Sequence, residues 1–345
     1  MIRWPLPVFS SVFRIGAHVL RKDNSPMDVI LHLGAHRTGS TSFQDALRRN
    51  AGRLADASVG FWGPRRTRGG LLSGALPQPG FDPVRATRRA KGRVRMQLDQ
   101  TAASGLSALL ISDENMIGSV RSNIRNRTLY ADIGDRMARY AQVFDGRITR
   151  IVLNIRALDL WWSSAIAYGV SRGAPVPDYQ ALNRIAQARR SWRDVITDLA
   201  CAMPHVDLRI LPFEVFAGRT GAILDAGAGC TVALPAQGDW LNRSPDVAAL
   251  RDLLAARGGI AAQAVTGSGR WTPFTPEHSA ALRAAYADDL AWLAAGADGL
   301  ASLTQDPERT RAGQTLPCVP QTEGHDYDRQ KGDRQKSGLA HSGRG

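Results

Sequence analysis

From residue 27 onward the chain alternates short apolar runs with stretches of helical periodicity. "DVILHLG" is apolar and closed by Gly34, and predicts a buried strand. "TSFQDALRRNAGRLA" follows, with Phe43, Ala46, Leu47 and Leu54 recurring on one helix face. "SVGFWG", "GLSALLISDEN", "TRIVLNIRAL" and "HVDLRILPFE" predict four further strands. Between them, "YADIGDRMARYAQVF", "DLWWSSAIAYGV" and "YQALNRIAQARRSWRDVITDLACA" predict helices. Continuous apolar strands alternating with helices call for a parallel sheet covered on both faces, a three-layer α/β fold. Residues 243–300 read as helices, including "SPDVAALRDLLAARGG" and "TPEHSAALRAAYADDLAWLAAG". Each opens with Ser or Thr, then Pro, then an acidic residue, which is helix-capping chemistry.

Two regions break this rhythm. Residues 64–95 carry nine Arg or Lys against one Asp, with Gly and Pro frequent at the start. They read as a mobile basic loop running into a basic helix. From about Thr304 the chain is polar, has almost nothing to bury, and reads as a disordered tail. The first 26 residues read as an extension outside the core, so one α/β domain is expected over 27–303.

Composition adds three constraints. Hydrophobic residues make up 43% of the 345, enough for a substantial core. The net charge of +13 is carried mostly by arginine. It suits anionic partners, although an arginine-rich background composition supplies it equally well. No RNP-type, zinc or helix-turn-helix signature accompanies it, so no specific nucleic acid is expected. Cys201, Cys230 and Cys318 lie far apart and are odd in number, so neither a disulfide framework nor a metal site is expected. Arg3 and Arg14 leave ten uncharged residues between them, too few for a membrane span of about 20. The default expectation is a cytoplasmic enzyme.

The chemistry concentrates in "HLGAHRTGSTSFQ". A triphosphatase loop has the form GxxxxGK[ST]. Here Gly34 and Gly39 have that spacing, Ser40 stands where the lysine would be, and the cation sits inside the loop as Arg37. Hydrolysis of ATP or GTP is therefore not expected, and a kinase or NTPase is the weaker alternative. The anion-binding physics survives. The glycines permit a tight turn, the following helix offers its positive end, and Thr38, Ser40, Thr41 and Ser42 supply hydroxyls. Arg37 adds a forked cation suited to phosphate or sulfate oxygens.

These residues resemble the 5′-phosphosulfate loop of sulfotransferases, HxGxxKTGTTSxQ, especially the bacterial ones. Arg37 replaces the usual Lys, and Ser40 a Thr. A second element is similar to the family's 3′-phosphate site: Arg156 ends a strand, Ser164 follows eight residues later, and Tyr168 lies beyond. "LRILPFEVF", with Glu214, and "WLNRS" resemble later segments of the family. The resemblance implies a P-loop-like fold and 3′-phosphoadenosine 5′-phosphosulfate as donor, held by Gly34, Arg37, Thr38, Gly39, Ser40, Thr41, Ser42, Arg156 and Ser164. Arg172 is a further cation near the second element. No metal is needed, because the leaving group is already a good one.

The acceptor hydroxyl needs a base. Glu114, in an "SxE"-like element after the third strand, is preferred, with His36 next; Asp113 is a weaker candidate and His32 reads as a core residue. The acceptor is expected to be a hydroxyl-bearing molecule. An acidic glycan is one option, if Arg65, Arg66 and Arg68 line the cleft. A relative that only binds an anion remains an alternative.

Overall fold

The computed structural model describes residues 27–306 apart from Cys230 and residues 236–239. The expectations about residues 1–26, Cys230, Cys318 and the tail beyond 306 lie outside the described residues. The sheet has six strands, all parallel: β1 (Asp28–His32), β2 (Val59–Trp62), β3 (Ala108–Ser112), β4 (Ile148–Ile155), β5 (Asp207–Pro212) and β6 (Ser302–Leu303). Their order is β2-β3-β1-β4-β5-β6. The chain leaves β1 toward one edge and returns to build the other, so β1 lies at the point where the winding reverses. In such sheets that is where ligands bind, outside the carboxyl ends of the strands.

Helices cover both faces, as the strand composition requires. On β1, Val29 and Leu31 point into one core and Ile30 into the other. The larger core lies beneath α2 (Pro83–Ala103), α3 (Ile133–Phe144), α4 (Leu158–Ser171) and α6 (Trp192–Ala202). The smaller lies beneath α1 (Ser40–Arg49) and α7 (Thr220–Ala228), through Phe43, Leu47 and Leu224. Phe43 and Leu47 are one turn apart, so α1 buries a single stripe. Each such side chain contributes roughly 1.5–3 kcal/mol on burial.

The structure sharpens several sequence boundaries. The long stretch before β5 is two helices, α5 (Tyr179–Ala186) and α6. Ser191 starts the second with a capping box to Asp194, and its hydroxyl donates to Asp289 at 2.5 Å. Beyond α7 come α8 (Val247–Ala255) and α9 (Pro276–Ala294). Thr275 caps α9 as the sequence predicts. At α8 the expectation fails: Asp246, not Ser244, is the cap, accepting from the Ala249 N–H at 2.9 Å. Ser244 is left free to pair elsewhere. The edge strand β6 is too short to leave a pattern. Residues 64–71 are not a loose loop but a helical turn, Pro64–Arg66, followed by a wider one over Thr67–Leu71.

One aromatic cluster fastens α4 and α6 beneath the first loop. Trp161 is fully buried, with ring centroids 5.7 Å from Tyr130 and 6.1 Å from Trp192. Its indole N–H donates to the His36 carbonyl at 2.7 Å. Trp161→Ala is expected to lower stability by about 3–5 kcal/mol. Trp161→Phe keeps most of the packing and loses the hydrogen bond, about 1 kcal/mol. Urea denaturation of the two variants separates these contributions.

Candidate functional site

The loop from Leu33 to Gly39 connects β1 to α1 and is pinned from below. Leu33 and Ala35 N–H groups donate to the carbonyls of Val152 and Asn154. The Thr38 hydroxyl turns inward to the Ala35 carbonyl at 2.5 Å. Three residues take positive φ: Gly34 (29°), Arg37 (68°) and Gly39 (79°). A side chain at Gly34 would stand 2.7 Å from the His32 ring, so only glycine fits there. Gly39 caps α1 without a side-chain bond. The first N–H groups of α1 are therefore left to an anion or to water.

Beneath the loop runs a buried polar chain. His32 Nδ1 lies 2.8 Å from Ser112 Oγ, and Nε2 lies 2.9 Å from Asn154 Oδ1. Gln44 Nε2 donates to Ser112 Oγ at 3.1 Å and to Glu114 Oε2 at 2.8 Å. Strands β1, β3 and β4 thus meet α1 through side chains that satisfy one another. Burial pushes the His32 imidazole down from 6.5 to about 4, against the raising effects of Asn154 and Glu114. His32 is a neutral core residue, as its sequence position suggests.

The two arginines found in sequence are brought together. Arg156 sits just past β4, is buried, and donates from Nη1 to the Arg37 carbonyl at 2.9 Å. Its guanidinium lies 4.7 Å over the Phe213 ring. Arg37 donates from Nε to Ser164 Oγ at 3.1 Å and from Nη2 to Ser244 Oγ at 2.8 Å. It also stacks 4.8 Å over the Tyr168 ring, which Arg172 approaches at 5.3 Å. Among the described residues neither Arg37 nor Arg156 has a carboxylate oxygen within 4 Å of its guanidinium. Burial lowers both, Arg156 to about 10, where the like charges of Arg270 and Arg37 add to it and Glu214 and Asp159 oppose it. Both remain charged at neutral pH. A buried cation without a counter-ion is expensive. Arg156 is buried and Arg37 half-buried, so an anion placed beside them would be stabilised.

Other predicted residues divide. Ser164 lies on α4 with the arginines. Ser42 Oγ accepts from the Leu241 N–H at 2.9 Å, and Thr41 Oγ1 from Asn242 Nδ2 at 3.2 Å, so both are spent partly on the segment 240–244. Ser40 is buried and makes no side-chain hydrogen bond among the described residues. Glu214 serves the fold, accepting from the Ala157 N–H ahead of α4 and from the Tyr286 hydroxyl.

The base candidates are more constrained than the sequence suggests. Burial alone would raise the Glu114 carboxyl. The bond from Gln44, its own backbone N–H and the charge of Arg68 reverse that and hold it below the ordinary carboxylate value. Arg68 reaches Glu114 Oε1 at 3.0 Å and Asp113 Oδ1 at 2.6 Å. Asp113 is closed further by Thr67. Arg68 is thus internally paired, and Arg66 lies over the Trp62 ring at 4.3 Å and donates to Gln97. His36 Nε2 lies 3.0 Å from Asn115 Oδ1 and Nδ1 lies 2.9 Å from the Tyr130 hydroxyl. Burial lowers its imidazole too, so it is neutral.

No family model matches this chain, and neither do the curated proteins or the solved structures.

Sequence reasoning missed Ser244, Phe213 and Trp240 as site residues. Trp240 stands so close over Gly39 that a Cβ there would meet its ring at 2.8 Å. Its centroid is 5.9 Å from that of Phe213. "WLNRS" is a visible signal, but its Ser244 reads as a helix cap. Among the described residues no helix is long and apolar enough to cross a membrane.

The His32 burial carries a pH dependence. The unfolded imidazole binds a proton below 6.5, and the folded one does so only below about 4. The stability present above 6.5 is therefore lost as pH falls toward 4, by up to about 3 kcal/mol from this group. Urea midpoints measured between pH 7 and 4.5 should fall, and His32→Gln should flatten that slope while lowering stability at pH 7.

Proposed function

We propose that this chain is a sulfotransferase, binding 3′-phosphoadenosine 5′-phosphosulfate and passing its sulfuryl group to a hydroxyl acceptor. One observation carries the reading: Arg37 and Arg156 meet at the carboxyl edge of a parallel sheet with no carboxylate within 4 Å among the described residues. In a nucleotide complex, the N–H groups opening α1 and the Arg37 fork hold the 5′-phosphosulfate. Arg156, Ser164 and Ser244 hold the 3′-phosphate. Arg37 leaves two neutral serine hydroxyls for charged oxygens, an exchange that favours the complex because charge-assisted hydrogen bonds are about twice as strong. Phe213 and Trp240 offer aromatic faces beside the loop.

In the reaction the acceptor oxygen bonds to sulfur as the bridging oxygen–sulfur bond breaks. The electron pair leaves with the 5′-phosphate, where the Arg37 guanidinium neutralises the developing charge. The acceptor's proton passes to the Glu114 carboxylate. Its hydrogen bonds and the Arg68 charge favour the ionised form, so it is available as a base at neutral pH. Positioning and charge, not acid strength, supply the acceleration.

Titration calorimetry with adenosine 3′,5′-bisphosphate tests the donor site. Arg37→Ala and Arg156→Ala are each expected to weaken binding roughly 10- to 100-fold, as for hydrogen bonds to charged groups. Ser244→Ala should cost roughly 2- to 10-fold. A wild type that ignores this nucleotide, or prefers ADP, sinks the reading. Glu114→Gln should lower kcat by about 100-fold or more. Wild-type kcat/KM should show no ionisation limb near 6, because the surroundings of Glu114 favour its charged form; a limb there would assign the base to histidine instead.

A further inference from the structure

Residues 85–95 hold six Arg or Lys and no acidic residue. They fall on α2, whose inner face buries Ala90, Val94 and Leu98. Two of the six cations are engaged, Lys91 with Asp145 at 2.7 Å and Arg93 with the Ser73 carbonyl. Arg85, Arg88, Arg89 and Arg95 are exposed, and their side chains make no hydrogen bond or ion pair among the described residues. Separations of three, four and seven place them on successive turns of one face. Like charges so spaced repel one another, so the helix by itself gains nothing from them.

Apolar side chains stand among these cations. Phe81 and Val84 are 67% and 77% exposed, and Met96 is 52% exposed. Scattered singly, such residues need no partner. Here Phe81 and Val84 form the tip at which α2 begins, with Pro83 exposed between them. The segment leading to that tip, residues 69–81, carries no charge, and its last five residues are all exposed. The carboxylate at the tip, Asp82, is spent on the helix, accepting from the Val84 N–H at 2.9 Å and the Arg85 N–H at 3.4 Å. An uncharged aromatic tip is thus followed directly by the unpaired guanidiniums of Arg85, Arg88 and Arg89. A nucleic acid or an acidic glycan would pair with the arginines and leave Phe81 and Val84 in water. The surface of a phospholipid bilayer answers both groups. Its phosphates accept from guanidinium N–H groups, and the apolar boundary beneath them receives the tip.

We propose that the solvent face of α2, with the tip at Phe81, is a docking surface for a bilayer that contains anionic phospholipid. Arg85, Arg88 and Arg89 bind headgroup phosphates while Phe81 and Val84 enter the interface between them. Arg95 and Met96 extend the contact along the helix. The attachment is peripheral, in keeping with the absence of any spanning helix among the described residues. It uses none of the residues assigned to the nucleotide and stands independently of the sulfuryl-transfer reading.

Co-sedimentation of the full chain with lipid vesicles tests this. Phosphatidylcholine vesicles containing about one third phosphatidylglycerol should bind at least ~10-fold more tightly than phosphatidylcholine alone, and less tightly as salt rises. The net charge of +13 attracts any anionic surface, so two charge-matched triple variants are compared. Arg85→Gln with Arg88→Gln and Arg89→Gln should weaken binding roughly 10-fold or more. Arg121→Gln with Arg184→Gln and Arg189→Gln, at exposed positions elsewhere, should leave it within about 2-fold. Phe81→Ser with Val84→Ser changes no charge and should weaken binding about 5-fold or more. Every substituted position is exposed, and thermal melting checks that each variant is folded. The proposal is overturned if the wild type does not bind the anionic vesicles, if the two triple variants lose affinity equally, or if the Phe81/Val84 variant binds like the wild type. Tighter binding of duplex DNA than of vesicles, abolished by the α2 triple variant, would also overturn it and assign the face to nucleic acid.

Discussion

The hydrogen bond from Arg156 to the carbonyl of Arg37 is the constraint on which the site depends. It ties the end of β4 to the sharpest bend of the loop after β1. That bend holds Arg37 at positive φ, a conformation a non-glycine residue takes only when its surroundings impose it. The same bond sets two guanidinium-bearing residues next to each other. Like charges do not gather in a half-dry place by themselves. Here they are held by packing: Phe213 under one, Tyr168 under the other, and the Trp161 cluster beneath the loop. The charge left without a carboxylate within 4 Å among the described residues is what supports the proposed anion site.

The polar chain under the loop has the complementary role. Asn154, His32, Ser112, Gln44 and Glu114 join β4, β1, β3 and α1 through side-chain contacts. Every member has a partner, so the chain can be buried without penalty and fixes where the loop leaves the sheet. It also explains why Glu114 is held ionised and aimed: Gln44 grips one oxygen and Arg68 the other.

Most of the fold was legible because its signals are local. Apolar runs such as "DVILHLG" and "TRIVLNIRAL" need only their own composition to declare a buried strand, and five of the six strands were visible that way. The sixth, Ser302–Leu303, has two residues and no room for a pattern. The turn between α5 and α6 was hidden by continuous helical periodicity and betrayed only by Ser191 and Asp194, a capping pair three residues apart. Arg37 was legible because its loop obeys a short-range rule about strand ends and helix starts, whereas Arg156 and Ser164, the latter on α4, stood out only by the resemblance of their spacing to the sulfotransferase pattern.

By itself, then, the sequence determined the alternation of strands and helices, the glycine-framed loop and the presence of forked cations at two strand ends. These follow from backbone sterics and from nearest-neighbour periodicity, which act over a few residues. The tertiary structure alone decided the pairings. Ser244 reaches Arg37 across 207 positions because Asp246 takes over the capping of α8. Arg68 is drawn to Asp113 and Glu114 across 45 and 46. Such contacts depend on which strand ends the winding brings side by side, and no local pattern encodes that.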